Sequence, residues 1–275
     1  MAPNQGTLSR PPGRRTRRQI ALAIAGSDSG GGAGLQADLK TFAALGVHGT
    51  SVVTCLTAQN PRTVLSVAAS SPECVRSQLE AVFSEIPPRA AKTGMLYESG
   101  VVQAVIDWFR EYRGIPLVVD PVAIATSGAR LLRAPAFRLL RDDLLPLASL
   151  VTPNIPEAEK LLGCSITGPE DLREAARALH TQHGCAVLVK GGHLQGTGQA
   201  IDILFDGEHE WLFSAPRVRA VRTHGTGCTY AAAIVAFLAR GETMVEAVFQ
   251  AKSYVTQAIA QSVRIGRHEA LNWNP

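Results

Sequence analysis

The chain carries a short motif in which glycine, threonine and cysteine are spaced as in an anion-binding site. It reads THGTGCT over residues 223–229 and is followed by a run of small residues over 230–236. Two glycines free the backbone at the start of a predicted helix, whose N-terminus favours a phosphate or a developing oxyanion. Cys228 stands where a proton acceptor is needed, and we expect the helix N-terminus to lower its pKa. A glycine loop that only caps a buried alanine-rich helix would have the same pattern.

Carboxylate, amide and lysine side chains follow several predicted strands. Asn154 and Glu157 have the spacing of a helix capping box, and together with Asp120 they could also arrange water around a magnesium ion. Both roles stay open, since one carboxylate can serve both. Lys190 ends an apolar strand beside two glycines, which suits contact with a phosphate.

A second glycine-rich segment, GSDSGGGAG over residues 26–34, follows the first predicted strand. It lacks the later acidic residue of a dinucleotide site and the second glycine of a Walker A loop, which argues against both. The glycines favour close approach of the backbone to a small substrate, with Asp38 facing back toward the loop; a tight turn without a ligand is the alternative. Gln59, after Thr57, offers a donor and an acceptor to a heterocycle edge, and Met95 can pack on a flat ring.

Short apolar runs alternate with helical patterns from residue 20 onward, which predicts repeated βα units. Strands are predicted over residues 20–25, 47–55, 116–119, 150–152, 186–189 and 201–205, and helices over 35–45, 72–83, 100–113, 155–162, 170–183, 226–239 and 244–262. A strand at 210–213 is expected to pair antiparallel with 201–205 around the Asp206-Gly207 turn. Because polar residues follow the apolar strands, their loops should converge on one crevice at the carboxyl edge of a parallel sheet.

The positive charge of the chain is concentrated at its N-terminus. The net charge is +4, but residues 1–19 hold five arginines and no acid, which leaves 22 basic against 23 acidic residues elsewhere. We expect this Arg- and Pro-rich tail to be disordered, residues 20–275 to form one domain, and the domain to bind no nucleic acid. No run of residues fits a signal peptide or a membrane span, and the five cysteines are scattered. These features predict a soluble cytoplasmic protein without disulfides, with an organelle transit peptide as the alternative.

Seven motifs together resemble those of the hydroxymethylpyrimidine and hydroxymethylpyrimidine-phosphate kinases of thiamine biosynthesis, members of the ribokinase-like superfamily. They occur in the family's order at residues 25–42, 58–60, 92–96, 120–122, 152–159, 189–193 and 223–229. The resemblance covers residues 20–262 and implies a three-layer α/β sandwich, with a mostly parallel central sheet and helices on both faces. It also implies a homodimer that uses ATP and Mg²⁺ to phosphorylate 4-amino-5-hydroxymethyl-2-methylpyrimidine and then its monophosphate.

The resemblance further implies a role for each residue of the site. The residues are, for the base and the anion hole, Cys228 with Gly225, Thr226 and Gly227; for the nucleotide, Lys190 and Thr223; for Mg²⁺, Asp120 and Glu157; and for the pyrimidine, Ala33, Asp38, Thr57, Gln59, Met95 and Val122. The chain departs from the family pattern at Ala123, at Thr126 and over residues 266–269. A pyridoxal kinase of the same superfamily, a kinase that accepts only the monophosphate and a non-catalytic ligand-binding homologue are the alternatives.

Overall fold

The computed structural model describes residues 18–122, 131–192, 194, 198–218 and 224–275. Eleven strands occur in these ranges: β1 (Ile20–Asp28), β2 (His48–Asn60), β3 (Thr63–Ala69), β4 (Ala90–Thr93), β5 (Leu117–Val119), β6 (Leu150–Val151), β7 (Ala186–Gly191), β8 (Gln199–Phe205), β9 (Glu210–Pro216), β10 (Val263–Ile265) and β11 (His268–Ala270). The α-helices of the same ranges are α1 (Gly34–Ala44), α2 (Pro72–Glu85), α3 (Ser99–Glu111), α4 (Ala134–Leu139), α5 (Ile155–Leu162), α6 (Pro169–His183), α7 (Thr226–Arg240) and α8 (Met244–Ala260).

Nine strands form one sheet in the order β3-β2-β1-β4-β5-β6-β7-β8-β9. The six central strands, which are β2, β1, β4, β5, β6 and β7, run parallel. Strand β3 at one end of the sheet and strands β8 and β9 at the other end pair antiparallel. The remaining strands, β10 and β11, form a separate hairpin near the C-terminus. A parallel core with antiparallel ends leaves one shared carboxyl edge, where the loops of the central strands meet.

Helices cover both faces of the sheet and bury two separate cores. Side chains of α2 to α6 pack on one face, and those of α1, α7 and α8 pack on the other. Strand β1 contributes to both cores because its side chains alternate between the two faces of the sheet. Leu22 and Ile24 enter the first core, whereas Ala21, Ala23 and Ala25 enter the second. The small residues let the alanine-rich α7 approach the sheet closely. This three-layer α/β sandwich confirms the expected fold class.

Most predicted elements are present with shifted ends. The predicted antiparallel pair around Asp206-Gly207 is confirmed as β8 and β9. The sequence prediction missed β3, β4, α4 and the β10–β11 hairpin. Strand β4 is the sequence Ala90-Ala91-Lys92-Thr93, which has neither β-branched enrichment nor alternation, and it is a strand because the sheet pairs it on both sides. Among the described residues, no helix has the length and apolar character needed to cross a membrane.

Candidate active site

Polar residues predicted from the sequence meet at the carboxyl edge of the parallel strands. Asp120 directly follows β5, Asn154 lies beyond β6, and Lys190 is the penultimate residue of β7. The start of α7 reaches the same edge, since a Cβ atom added at Gly227 would lie 3.6 Å from Lys190 Nζ and 4.0 Å from Asp120 Oδ2. The structure therefore brings residues 224–229 of the THGTGCT motif together with a lysine and a carboxylate.

Helix α7 begins in a geometry that suits an anion. Gly225 precedes the helix with φ 85° and ψ 10°, the left-handed region that favours glycine. A side chain at Gly225 would overlap the carbonyl oxygen of Gly32, so the glycine-rich loop after β1 packs directly on this turn. The first intrahelical hydrogen bond runs from Thr229 N to Gly225 O (2.9 Å), so the amides of residues 226–228 precede it at the positive end of the helix.

Cys228 is partly exposed in the first turn of α7. The helix N-terminus predicts a lowered pKa for its thiol, and that prediction is wrong. Withdrawal from water raises the pKa of the Cys228 thiol to about 11; Lys92 opposes the shift, whereas Asp38 and Asp120 add to it. Desolvation and the nearby carboxylates disfavour the thiolate by more than Lys92 and the Gly34 N–H favour it. The thiol is therefore protonated at neutral pH.

Lys190 forms an ion pair with Asp120 across the edge of the sheet. Lys190 Nζ lies 2.8 Å from Asp120 Oδ1, which also accepts a hydrogen bond from Thr152 Oγ1 at 3.1 Å. Burial would lower the pKa of the Lys190 ammonium, but Asp120 and Glu157 outweigh burial, and the pKa is raised. The ammonium is therefore charged, as contact with a phosphate requires.

Glu157 completes the predicted capping box of α5. Its Oε2 accepts from Asn154 N and its own N–H donates to Asn154 Oδ1, both at 2.9 Å. Burial raises the pKa of the Glu157 carboxyl to about 7; Lys190 opposes this rise and Asp120 adds to it. The local structural role is thus confirmed, and Glu157 also shares an electrostatic environment with the Lys190–Asp120 pair.

The same carboxylates can be tested as ligands for Mg²⁺. Among the described residues, no group of three or more His, Cys, Asp or Glu side chains is placed to hold a metal ion. Mg²⁺ commonly keeps several waters and is bound through one or two carboxylates plus substrate phosphates. Asp120 and Glu157 supply that number of carboxylates beside a charged lysine, so these residues fit the ion in the presence of a nucleotide.

Asp38 lies deeper than the sequence predicts. Its side chain is fully buried beneath the site and forms an ion pair with the equally buried Lys92, with 2.8 Å between Asp38 Oδ1 and Lys92 Nζ. Burial raises the pKa of the Asp38 carboxyl to about 6, and Lys92 limits the rise, so the pair is charged at neutral pH. Within the described residues, Asp38 Oδ2 has no hydrogen-bond partner. One buried acceptor is therefore left beneath the site.

The glycine-rich loop after β1 is organised by Asp28, a residue outside our predicted site. Its carboxylate is 4% exposed and accepts from Gly30 N (2.8 Å), Gly32 N (3.1 Å) and Ala33 N (2.8 Å). Asp28 Oδ2 also lies 3.5 Å from His224 Nε2. Burial would raise the pKa of Asp28, but these partners lower it. The carboxylate thus fixes the loop that packs on the start of α7.

The predicted substrate residues divide into polar and apolar positions. Gln59 Nε2 lies 2.8 Å from His224 Nε2, whereas the Thr57 hydroxyl donates to Ser27 O at 2.8 Å and so serves the chain itself. Met95 and Val122 belong to a small apolar cluster. Gln59 and the apolar cluster offer a polar edge and an apolar surface, and their contact with a flat heterocycle stays a prediction.

Some predicted residues cannot be placed. Thr223, with Ala123, Thr126 and His193, lies outside the described residues. The sequence analysis in turn overlooked three residues of the site: Asp28, Lys92 and His224. Signals for them were present, since Asp28 ends the first apolar run, Lys92 interrupts an apolar segment, and His224 lies within the cysteine motif.

Comparison with known proteins assigns this arrangement to a class. The phosphomethylpyrimidine kinase family model matches residues 28–272. The hydroxymethylpyrimidine/phosphomethylpyrimidine kinase of Rhizobium meliloti is 49% identical over 247 residues, which are 90% of this chain and 92% of that protein. The chain belongs to the phosphomethylpyrimidine kinase family.

Two further relatives extend this comparison. The thiamine biosynthesis bifunctional protein ThiED of Geobacter sulfurreducens is 50% identical over 250 residues, which are 91% of this chain but only 51% of that protein. The chain thus spans about half the length of this bifunctional relative. Among solved structures, the pyridoxal kinase of Staphylococcus aureus in complex with AMP-PCP and pyridoxal matches with a TM-score of 0.85 and 31% identity, over 94% of each chain. Kinases of two heteroaromatic substrates therefore share this fold.

Proposed function

We propose that the protein catalyses the ATP-dependent phosphorylation of 4-amino-5-hydroxymethyl-2-methylpyrimidine and then of its monophosphate, in thiamine diphosphate biosynthesis. The observation that carries this proposal is the placement of the α7 N-terminus against the Lys190–Asp120 pair, with Gln59 in contact with His224 just before the helix. Membership of the phosphomethylpyrimidine kinase family supports it. The names of relatives such as the Rhizobium meliloti kinase support it too.

Charge stabilisation is the main contribution of the site in this proposal. The backbone amides of residues 225–228 would receive the transferring phosphoryl group at the positive end of α7, and Lys190 would contact the nucleotide phosphates. Asp120 and Glu157 would hold Mg²⁺, which would screen the phosphate charges when bound. Phosphoryl transfer depends mainly on positioning and electrostatics, which this fixed set of charges and amides provides.

Cys228 would accept the proton of the substrate hydroxyl. Its raised pKa means that the thiol is protonated in the free protein, so a thiolate must form within the assembled site. Lys92 favours that thiolate, as does the Gly34 N–H directed at the sulfur. Because the hydroxyl need not lose its proton early in a loose transfer, a small thiolate population at the right position is sufficient.

Phosphorylation of pyridoxal by the same site is the second candidate. The similarity to the pyridoxal kinase of Staphylococcus aureus favours it, since that structure holds pyridoxal and AMP-PCP. Both substrates are nitrogen heteroaromatics with a hydroxymethyl group. Gln59, which can pair with an amino group and a ring nitrogen together, favours the aminopyrimidine.

An ADP-release assay tests the proposal. Purified protein is given ATP and Mg²⁺ with hydroxymethylpyrimidine, its monophosphate or pyridoxal, and each product is identified by mass spectrometry. We expect both pyrimidines to be phosphorylated, and the turnover to stop when EDTA removes Mg²⁺ and to return when the ion is restored. Turnover of pyridoxal alone would replace the proposed substrate, and no turnover of any of the three would refute the kinase activity.

We also propose that the protein acts in the cytoplasm as a homodimer. All five cysteines are free, which suits a reducing compartment. The edge hairpin of β2 and β3 exposes Leu56 and Leu65, at 59% and 75%, and a second copy packed there would withdraw these apolar side chains from water. Light scattering at micromolar concentration should give twice the chain mass of 29.2 kDa; a mass of one chain would refute the dimer.

A further inference from the structure

The position of Gln59 is fixed by two features of its backbone that do not involve its side chain. The β2–β3 pairing shifts register between Ala58 and Gln59, and such a bulge redirects the side chain that follows it. Ser29 then fixes the Gln59 backbone on both sides, because its hydroxyl donates to Gln59 O and accepts from Gln59 N, each at 2.8 Å. The position of Gln59 is thus set by the glycine-rich loop, and the rotation of its terminal amide remains to be fixed.

His224 contacts that terminal amide directly. Gln59 Nε2 lies 2.8 Å from His224 Nε2, and because an amide nitrogen can only donate, the ring nitrogen is the acceptor, in the imidazole tautomer that carries its proton on Nδ1. The imidazole packs against the glycine-rich loop, since its Cδ2 would lie 3.4 Å from a Cβ atom added at Gly32. Asp28 Oδ2, which lies 3.5 Å from His224 Nε2, already accepts from Gly32 N and Ala33 N, so it does not require a proton on that ring nitrogen. The ring therefore joins the anion-hole turn to the residue expected to read the substrate.

This hydrogen bond determines which atoms Gln59 presents. A primary amide can rotate by 180° and exchange its oxygen for its nitrogen at little cost unless a neighbour prevents it. With one N–H held by His224, Oε1 and the second N–H remain as an adjacent acceptor and donor. That pair complements the exocyclic amino group and ring nitrogen of a 4-aminopyrimidine, and it opposes the carbonyl and ring N–H of a 4-oxopyrimidine.

We propose that His224 is a positioning residue for substrate specificity, which selects 4-amino over 4-oxo pyrimidines by fixing the orientation of the Gln59 amide. The inference rests on the proposed function, since it concerns which pyrimidine the kinase accepts. His224 acts through Gln59 and does not contact the substrate. Loss of His224 frees the amide to rotate, so the 4-oxo compound gains a matched partner.

The test measures kcat/KM for 5-hydroxymethyl-2-methylpyrimidine with a 4-amino or a 4-oxo group, using the full-length protein. We expect the wild-type protein to favour the 4-amino compound, and His224→Ala to lower the ratio of the two kcat/KM values on the order of tenfold. His224→Gln, which places an amide oxygen near the position of Nε2, should restore much of the ratio. A general loss of activity leaves the ratio unchanged, so the ratio separates orientation from stability.

A double-variant cycle makes the test independent of folding effects. If His224 acts through Gln59, His224→Ala should not change the ratio further when it is added to Gln59→Leu. An equal ratio in wild-type protein and His224→Ala would overturn the inference while leaving the kinase activity standing. Additive effects of the two substitutions would overturn it as well. Absence of turnover of either pyrimidine by the wild-type protein would refute the proposed function, and this inference with it.

Discussion

The buried pair of Asp38 and Lys92 is the residue-scale feature on which the site rests. Both side chains are fully excluded from solvent, and Lys92 raises the stability of a thiolate at Cys228 while Asp38 lowers it. An ion pair in such a place is expensive to assemble, and removal of one partner leaves a buried charge without compensation. The pair therefore couples the stability of the fold to the electrostatics of the site.

Substitution of Lys92 tests this coupling. We expect Lys92→Met to lower the free energy of unfolding by about 3–5 kcal/mol at pH 8, because Asp38 is left charged and unpaired. Since the pKa of Asp38 is already raised to about 6, the carboxyl of the variant should be neutral at pH 5, and the loss should be smaller there. Urea unfolding at the two pH values measures both quantities.

The matched control is Arg110→Met, which breaks an exposed ion pair with Asp143. That substitution should cost at most about 1 kcal/mol, because solvent screens the pair. The account of the buried pair would be contradicted if Lys92→Met and Arg110→Met cost the same.

The raised pKa of Cys228 predicts how its thiol reacts in the free protein. Only the thiolate is alkylated rapidly, so the rate at Cys228 should be low at pH 7 and should rise about tenfold per pH unit up to pH 10. Peptide mass spectrometry after timed iodoacetamide treatment follows this site, and exposed Cys74 confirms that the reagent is active. A rate at Cys228 that is already constant above pH 7 would show a lowered pKa instead.

At the scale of elements, two glycine-containing turns support each other. The turn before α7 contacts the loop after β1, where Gly225 meets the carbonyl of Gly32 without room for a side chain. The C-terminal segment braces both: Trp273 Nε1 donates to Thr229 Oγ1 (3.2 Å), and Lys40, whose Nζ donates to Gly31 O, lies 4.3 Å from the Trp273 ring. The altered residues 266–269 are the two-residue turn of the β10–β11 hairpin and the first two residues of β11, and they leave this brace in place.

A pair of glycine substitutions separates the close contact from the backbone strain. Gly225→Ala and Gly241→Ala both force alanine into a left-handed conformation, at φ 85° and 96°, which costs about 1–2 kcal/mol. Near Gly241 an added Cβ meets no described atom within 4 Å, whereas at Gly225 it meets Gly32. We expect Gly225→Ala to lower kcat about 10²–10³-fold by displacing the anion-hole amides. Steady-state kinetics should show a normal kcat for Gly241→Ala, and an equal loss in both variants would contradict the role of the contact.

Sequence patterns predicted some elements well and others poorly, for physical reasons. Helix α5 was predicted with both ends correct, because Asn154 and Glu157 form the capping box that the sequence spells out. Strand β4 could not be predicted, because Lys92 in it is compensated by Asp38, which is 54 residues away. The prediction of the Cys228 pKa failed for the same reason, since that pKa depends on carboxylates that only the fold brings near. Local signals were sufficient for local structure and insufficient for long-range electrostatics.

At the scale of the whole molecule, the site lies on a nearly neutral body, and the surplus positive charge lies in the N-terminal tail. The sheet joins β1, β4, β5, β6 and β7 side by side, so residues distant in sequence reach one edge. Gln19 is hydrogen-bonded to the sheet, because its carbonyl accepts from His48 N at 2.8 Å. Turnover is therefore expected to be independent of the residues before it.

Deletion of residues 1–17 tests this separation of charge from catalysis. We expect unchanged kcat/KM and thermal stability, since Gln19 is retained. Any retention on heparin at low salt should be lost, because most of the tail arginines are removed. A fall in turnover on deletion would show that the tail contributes to the active site.

The most direct test of the central claim is the rate of product formation by Cys228→Ala, compared with the wild-type protein. Both are assayed by mass spectrometry with Mg²⁺, ATP and hydroxymethylpyrimidine, after circular dichroism and thermal unfolding have shown equal folding. If Cys228 accepts the proton at the α7 N-terminus, kcat should fall about 10²–10⁴-fold, with little change in the KM for ATP. An unchanged kcat in a folded variant would contradict the assignment of the base and of the site built around it.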